Sequence, residues 1–299
     1  MAWRGLHISR ACRLSLADGQ CVVAQETGET RLPLEDIAWI ILDTPQATLT
    51  TSLLAASMEA GIALIVTDAR HHPSGMVLPF HRHHRQAEVA ALQIGAGNGL
   101  RNRLWQALVR SKICNQAAVL ESCGQASAPL RAMADRVTPG DVENTEARAA
   151  RHYWSRLFAH FVRENTQDRR NAMLNYGYAV MRAAVARGLA AAGLLPAIGL
   201  HHASALNPFN LADDIIEPFR PVVDRLVWRL SDSGRTREGE MAITHRQALA
   251  GVLLEPVLLG RETVTALVAS EMVASGLVRA MEGASARLLT LPEILAAPA

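Results

Sequence analysis

The feature that most constrains this chain is a change of hydrophobic period near residue 85. Before it, apolar residues come in short runs set apart by turn residues; after it, they recur at i, i+3 and i+4 along Ala-, Leu- and Arg-rich stretches. The first pattern suits strands and the second suits one buried face of a helix. Segments 5–9, 12–16 and 20–25 read as strands, with Asp18-Gly19 as the hairpin turn between the last two. Ile37–Leu42 is continuously apolar, as a strand covered on both faces would be, and 62–66 has the same character. Between them, 49–60 has helical spacing and stops at Gly61. Past the change, the spacing predicts helices over 85–94, 100–123, 145–164, 171–192, 209–230, 245–259 and 262–280. The expected fold class is α+β. A small β-rich, β-sandwich-like domain over 1–72 leads through a linker or hinge, 73–84, to a larger all-helical domain, 85–299.

Several function classes drop out. The four cysteines, Cys12, Cys21, Cys114 and Cys123, are scattered and form no C-x-x-C pair, so neither a disulfide framework nor a thiolate zinc site is expected. The N-terminus lacks the apolar core of a secretory signal. The longest apolar stretch, 188–200, is interrupted by Pro196 and falls short of the ~20 residues a membrane helix needs. The expectation is a soluble, cytoplasmic protein with no membrane partner. There is no Walker A sequence, and the glycine-rich run 95–99 follows a helical pattern rather than a strand, so it reads as a helix–helix turn.

Charge is uneven along the chain. Residues 1–70 hold five Arg against eight Asp and Glu, whereas 71–299 hold 25 basic residues against 20 acidic ones. Lys112 is the sole lysine among the 30 basic residues. High-GC coding explains such a bias, yet arginine also makes the two-pronged phosphate contacts that lysine cannot, so nucleic acid is permitted as a partner. Five histidines, His71, His72, His81, His83 and His84, surround the hinge. With Arg82 and Arg85 beside them, a solvated hinge fits better than zinc.

The acids are more pointed. Asp214 and Glu217 are three positions apart, which on a helix puts both carboxylates on one face. Paired carboxylates repel unless a cation lies between them. Upstream, His201 and His202 stand in the turn-rich GLHHASALNPFN, and Glu146 begins another helix in ENTEARAARHYW, with Asn144 as the expected N-cap. Carboxylates with one imidazole suit Mg²⁺ or Mn²⁺. Acids so spaced are also common on solvated helix faces, but Pro218 and Pro221 must kink or break this one.

Four stretches in order, LWQALVRSKICNQA at 104–117, ENTEARAARHYW at 143–154, LNYGYAVMRAAVARGLAAAGLLPAIGLHH at 174–202 and FNLADDIIEPFRPVVD at 209–224, resemble the CRISPR-associated adaptation integrases, the Cas1 family. The type II versions are the most similar, and the likeness spans essentially the whole chain. It implies an N-terminal dimerisation domain and a helical catalytic domain. It further implies catalysis at a metal, Mg²⁺ or Mn²⁺, held by Glu146, His202 and Glu217 with Asp214 in support, a one-residue slip to His201 staying open. The implied reaction is attack of a DNA 3′-hydroxyl on a phosphodiester, inserting spacer DNA into the repeat array. The implied partners are double-stranded DNA, a second copy of the chain and the small Cas2 protein. Candidate DNA-contacting arginines are Arg148, Arg151, Arg169, Arg170 and Arg182. Two rivals make other predictions: a non-catalytic helical DNA-binding scaffold, and a zinc hydrolase built on His81, His83 and His84.

Overall fold

The computed structural model describes residues 4–78, 83–231 and 241–295. Its first strands, β1 (Arg4–Ile8), β2 (Cys12–Ala17) and β3 (Gln20–Gln25), fall on the short apolar runs. Asp18 and Gly19, with φ of 51° and 71°, make the tight turn from β2 to β3, a conformation that Asp tolerates and glycine adopts freely. β4 (Gly28–Pro33) follows as an edge strand. Its polar sequence, GETRLP, carries no apolar signal, and pairing with β3 alone makes it a strand. β5 (Ile37–Leu42) is buried at every residue. After β6 (Ala47–Leu49), the Thr50 hydroxyl caps α1 (Thr51–Ala60) and Gly61 closes it at φ 73°. β7 (Ala63–Thr67) and β8 (Pro73–Val77) complete the unit.

These strands form two four-stranded sheets, ordered β4-β3-β2-β6 and β1-β5-β7-β8. Leu14, Cys21, Ile37, Ile40, Leu53, Ile62 and Leu64 share one core between the sheets and α1. β5 and β7 run parallel because α1 carries the chain across between them. β8 corrects part of the linker reading: 73–77 pairs antiparallel with β7. His71 is not a free hinge residue either, since its Nδ1 lies 2.7 Å from Asp43, which His7 also contacts at 3.1 Å. His81 and Arg82, with Pro79 and Phe80, lie outside the described residues.

The chain divides by contacts into Met1–Arg82 and His83–Ala299. The second unit begins with α2 (Gln86–Gly95), α3 (Asn98–Ser122), α4 (Ala128–Ala134), α5 (Thr145–Leu157) and α6 (Arg169–Ala191). It continues through α7 (Asn210–Ile215), α8 (Arg220–Leu230), α9 (Ile243–Ala250), β9 (Pro256–Leu259), β10 (Glu262–Thr265), α10 (Ala266–Glu282) and β11 (Pro292–Ile294). It is not all-helical as expected. The last three strands form an antiparallel sheet, β10-β9-β11, in which β9 and β10 come from the ends of segments whose apolar spacing reads as helix and β11 from a stretch with no expected element. Short apolar runs such as PVLL satisfy either period, and strand pairing decides. The stretch 209–230 is also not one helix, because the 3₁₀ turn Glu217–Phe219 separates α7 from α8 at Pro218. The small residues of α6 let neighbours crowd it, so Tyr176, Val180 and Ala184 are fully buried. Among the described residues, no helix is long and apolar enough to cross a membrane.

Candidate active site

Three stretches of the second unit converge: the middle of α3, the first turn of α5 and the 3₁₀ turn before α8. α3 is held from within, since Leu108, Val109, Ile113 and Ala117 are all fully buried. Lys112 therefore points its ammonium into the protein. Its Nζ lies 2.5 Å from Oε1 of Glu146 and 2.5 Å from Oε2 of Glu217. Two acids 71 positions apart thus meet on either side of one buried cation. One helical turn on, Asn115 Nδ2 donates to the Pro218 carbonyl at 2.8 Å, which pins the Glu217 turn against α3.

The start of α5 is fixed differently from the sequence expectation. Asn144 sits at φ 52° and its side chain caps nothing. Asp141 supplies the cap instead, its two oxygens accepting from the N–H groups of Thr145 and Glu146, each at 2.9 Å. The carboxylate also complements the helix dipole, so the Glu146 backbone is anchored whatever its side chain does.

Glu217 is deeply buried yet ionised. Burial pushes its carboxyl up, but Arg220 and Lys112 outweigh that and bring it to about 2. Arg220 Nε donates to Oε1 of Glu217 at 2.8 Å. Lys112 stands off the direction of a good hydrogen bond to Oε2, so that buried oxygen has a charge partner but no directed donor. Burial likewise works against the charge on Lys112, and Glu217 and Glu146 reverse it, so its pKa is raised.

The histidine pair is held by a separate frame. Gln93 of α2 bonds Leu195 and Ile198 through three hydrogen bonds of 2.6–3.0 Å, and Asn210 Nδ2 bonds the carbonyls of Ala197, Ser204 and Asn207. Gly199 is required here, because a Cβ would fall 2.2 Å from the His202 carbonyl oxygen and 2.8 Å from Asp214. Asp214 has no exposure and accepts from the N–H groups of Leu200, His201 and His202 and from Nδ1 of His202 at 2.7 Å. That hydrogen bond raises the pKa of His202, burial working against it. His201 is spent elsewhere, stacked on Trp105 of α3 at 4.2 Å with the rings parallel within 1°.

The donor set fits a hard or borderline divalent ion. Glu146 and Glu217 offer oxygens, one of them without a directed donor, and His202 keeps Nε2 free because Asp214 holds Nδ1. A histidine ligand is ordinarily oriented in that way. Asp214 itself is committed to the loop and to the His202 ring. Among the described residues, no three His, Cys, Asp or Glu side chains are already gathered around one point; Lys112 stands where the two acids meet.

The arginines separate into two kinds. Arg148 and Arg151 are exposed on α5, and Arg169 is partly exposed. Arg170 cannot meet DNA: it is 1% exposed, paired with Asp168 at 2.7 Å and lies over Phe158 and Phe161. Arg182 is also occupied, bonding Asp213 at 2.7 Å and covering Phe209. The burial of Arg170 corrects the sequence reading, which had no means of seeing these partners, whereas Arg182 keeps a third of its side chain exposed. Spacing equally missed Lys112, Arg220, Asp141 and Trp105. The one available signal was a lone lysine on an apolar helix in an arginine-rich chain.

Asp224 lies close behind the carboxylates. It is 1% exposed and accepts a hydrogen bond from Tyr178. Burial pushes its carboxyl up to about 7, beyond what Tyr178 and Arg220 can offset. The folded protein thus retains a proton that the unfolded chain releases near pH 4, so this group's contribution to stability falls as pH rises from about 4 to 7. Asp224→Asn keeps an acceptor for Tyr178 and removes the titration. Its stability relative to the parent is expected to climb between pH 5 and 8, by up to ~3 kcal/mol. A difference that stays flat in thermal unfolding across that range contradicts this account.

Known proteins resemble this chain in sequence and in fold. A family model described as CRISPR associated protein Cas1 matches residues 6–259. The CRISPR-associated endonuclease Cas1 of Neisseria meningitidis serogroup C is 41% identical over 297 residues, 99% of this chain and 97% of that protein. Among solved structures, a casposase bound to integration product superposes with a TM-score of 0.76 at 18% identity, covering 95% of this chain and 92% of the other. A Cas6-RT-Cas1–Cas2 complex gives 0.73 at 18% identity, covering 98% of this chain and 36% of that one. At such identity the structural likeness is one of fold.

Proposed function

The chain belongs to the Cas1 family, and from that premise we infer that it is a divalent-metal-dependent DNA endonuclease and integrase of CRISPR adaptation. The observation that carries this reading is the meeting of Glu146 and Glu217 on one buried cation. Such a pair is costly to maintain in a protein whose only task is to bind. In the reaction, a DNA 3′-hydroxyl attacks a phosphodiester. One P–O bond forms and another breaks, the attacking oxygen loses a proton and the leaving oxygen gains one, so no nucleotide energy source is consumed.

Glu146, Glu217 and Nε2 of His202 would hold Mg²⁺ or Mn²⁺, which when bound supplies electrostatic stabilisation of the phosphoryl oxygens. Asp214 keeps the His202 ring oriented. Asn115 and Asp141 fix the backbones that carry the two acids. Exposed Arg148 and Arg151, with Arg169, supply phosphate contacts. Double-stranded DNA, a second copy of the chain and Cas2 are the proposed partners, the last supported by the Cas1–Cas2 complex among the structural neighbours.

The test uses the protein with its Cas2 partner, a short duplex with 3′-hydroxyl ends and a supercoiled plasmid carrying repeats. Joined or nicked plasmid is expected with Mn²⁺ or Mg²⁺ and not with chelator. Binding without product in either metal would favour a non-catalytic scaffold. The histidines give a finer check. His202→Ala is expected to remove product, whereas His201→Ala, which loses the stack on Trp105 and an edge contact with the His202 ring but leaves the Asp214–His202 hydrogen bond in place, keeps activity within about tenfold, or ~1.4 kcal/mol. Equal losses in both would place the ligand role elsewhere.

A further inference from the structure

Four charged groups meet at the carboxylate pair: Glu146, Glu217, Lys112 and Arg220. Their formal charges cancel. Asp214 adds a negative charge nearby, but three backbone N–H groups and the His202 ring already satisfy it. A divalent cation on Glu146 and Glu217 would bring two positive charges to this balanced cluster, against an ammonium already on the same oxygens. At such separations, with little water between, like charges repel strongly. Lys112 must therefore leave the acids or gain an anion.

A place for that anion adjoins it. A pocket of about 200 Å³ is lined by Lys112, Trp154, Arg163, Tyr178, Arg220 and Asp224, with Glu217 at one side. That is the room of several water molecules, enough for a phosphodiester group. Arg163 is held ready there by Asn171 at 3.1 Å and Asn175 at 2.6 Å, and Arg220 lies 4.6 Å over the Tyr178 ring. Asp224, the other acid at the pocket wall, is turned to the Tyr178 hydroxyl.

We propose that this pocket is a phosphodiester subsite and that Lys112 changes partners in it. Without DNA its ammonium clamps Glu146 and Glu217; with a DNA phosphate in the pocket it pairs with the phosphate and frees the carboxylates for the cation. The proposal rests on the metal-dependent reading above. Its consequence is that DNA and cation each tighten the other's binding by the same factor. The protein would then load its metal chiefly when DNA is present.

Mn²⁺ binding to the full-length protein, followed by the EPR signal of free Mn²⁺ with and without a short duplex, tests this. In the wild type the duplex is expected to tighten Mn²⁺ by about tenfold or more. Lys112→Met is expected to bind Mn²⁺ about tenfold more tightly than the wild type without DNA and to lose most of the DNA effect. Should that variant not fold, Arg163→Gln tests the same pocket, since its guanidinium touches neither carboxylate; the ratio of affinities with and without DNA is expected to shrink to about threefold or less. Unchanged or weaker Mn²⁺ binding in folded Lys112→Met overturns the proposal, as does a full DNA effect in Arg163→Gln. A wild type that binds Mn²⁺ under neither condition, matching Glu146→Gln, overturns instead the metal-dependent function on which it stands.

Discussion

Glu146→Gln is expected to give a folded protein that no longer joins DNA ends to a repeat-bearing plasmid. The loss should reach about three orders of magnitude, or roughly 4 kcal/mol of transition-state stabilisation. Two features make this a clean substitution. The α5 N-terminus is tied by Asp141 through backbone N–H groups, so it does not depend on the Glu146 side chain. That side chain is 27% exposed, and glutamine keeps an oxygen for Lys112 while removing the negative charge a cation needs. Stability should therefore change by no more than about 1 kcal/mol. Product within tenfold of wild type at saturating Mn²⁺ would remove Glu146 from the metal site.

Glu217→Ala is expected to behave differently, because here the fold itself is at stake. Its side chain is 6% exposed and sits between Lys112 and Arg220. Taking it away leaves the buried Lys112, with Glu146 as its remaining partner, facing the half-buried Arg220, and breaking such a cluster costs about 3–5 kcal/mol. Urea unfolding should show that loss. Adding Lys112→Met should restore part of it, about 1–3 kcal/mol of coupling between the two sites. Additive losses in the double variant would mean that the Lys112–Glu217 contact contributes nothing. The pH dependence carries the same sign. A carboxyl held at about 2 contributes stability that is present above its ordinary value of 4.5 and is lost as pH falls through that interval toward 2. For activity, Glu217→Gln is the informative variant, since it keeps an acceptor beside both cations. Spacing along the chain treats Glu146 and Glu217 alike; burial separates them.

The sequence by itself determined a good deal. The change of period at residue 85 separates the β-rich unit from the helical one. The continuous run at β5, the Asp18-Gly19 turn and the stop at Gly61 are each fixed by local chemistry, either steric freedom at positive φ or an uninterrupted apolar face. Pro218 announced the break beside Glu217. The ordered motifs named the family and the acids and histidines worth testing.

What only the tertiary structure decided was how those groups are used. β4, β8 and the β9–β11 sheet exist because partners complete their hydrogen bonds, which no local propensity records. His201 and His202 are adjacent and chemically identical, yet Trp105 takes one and Asp214 orients the other. Arg170 resembles a DNA-binding arginine until its burial and Asp168 beside it are seen. Lys112 is 34 positions from Glu146 and 105 from Glu217, and it becomes part of the site only when α3 packs against both. Charge acts through space with a strength set by distance and burial, and neither is written in the order of residues along a chain.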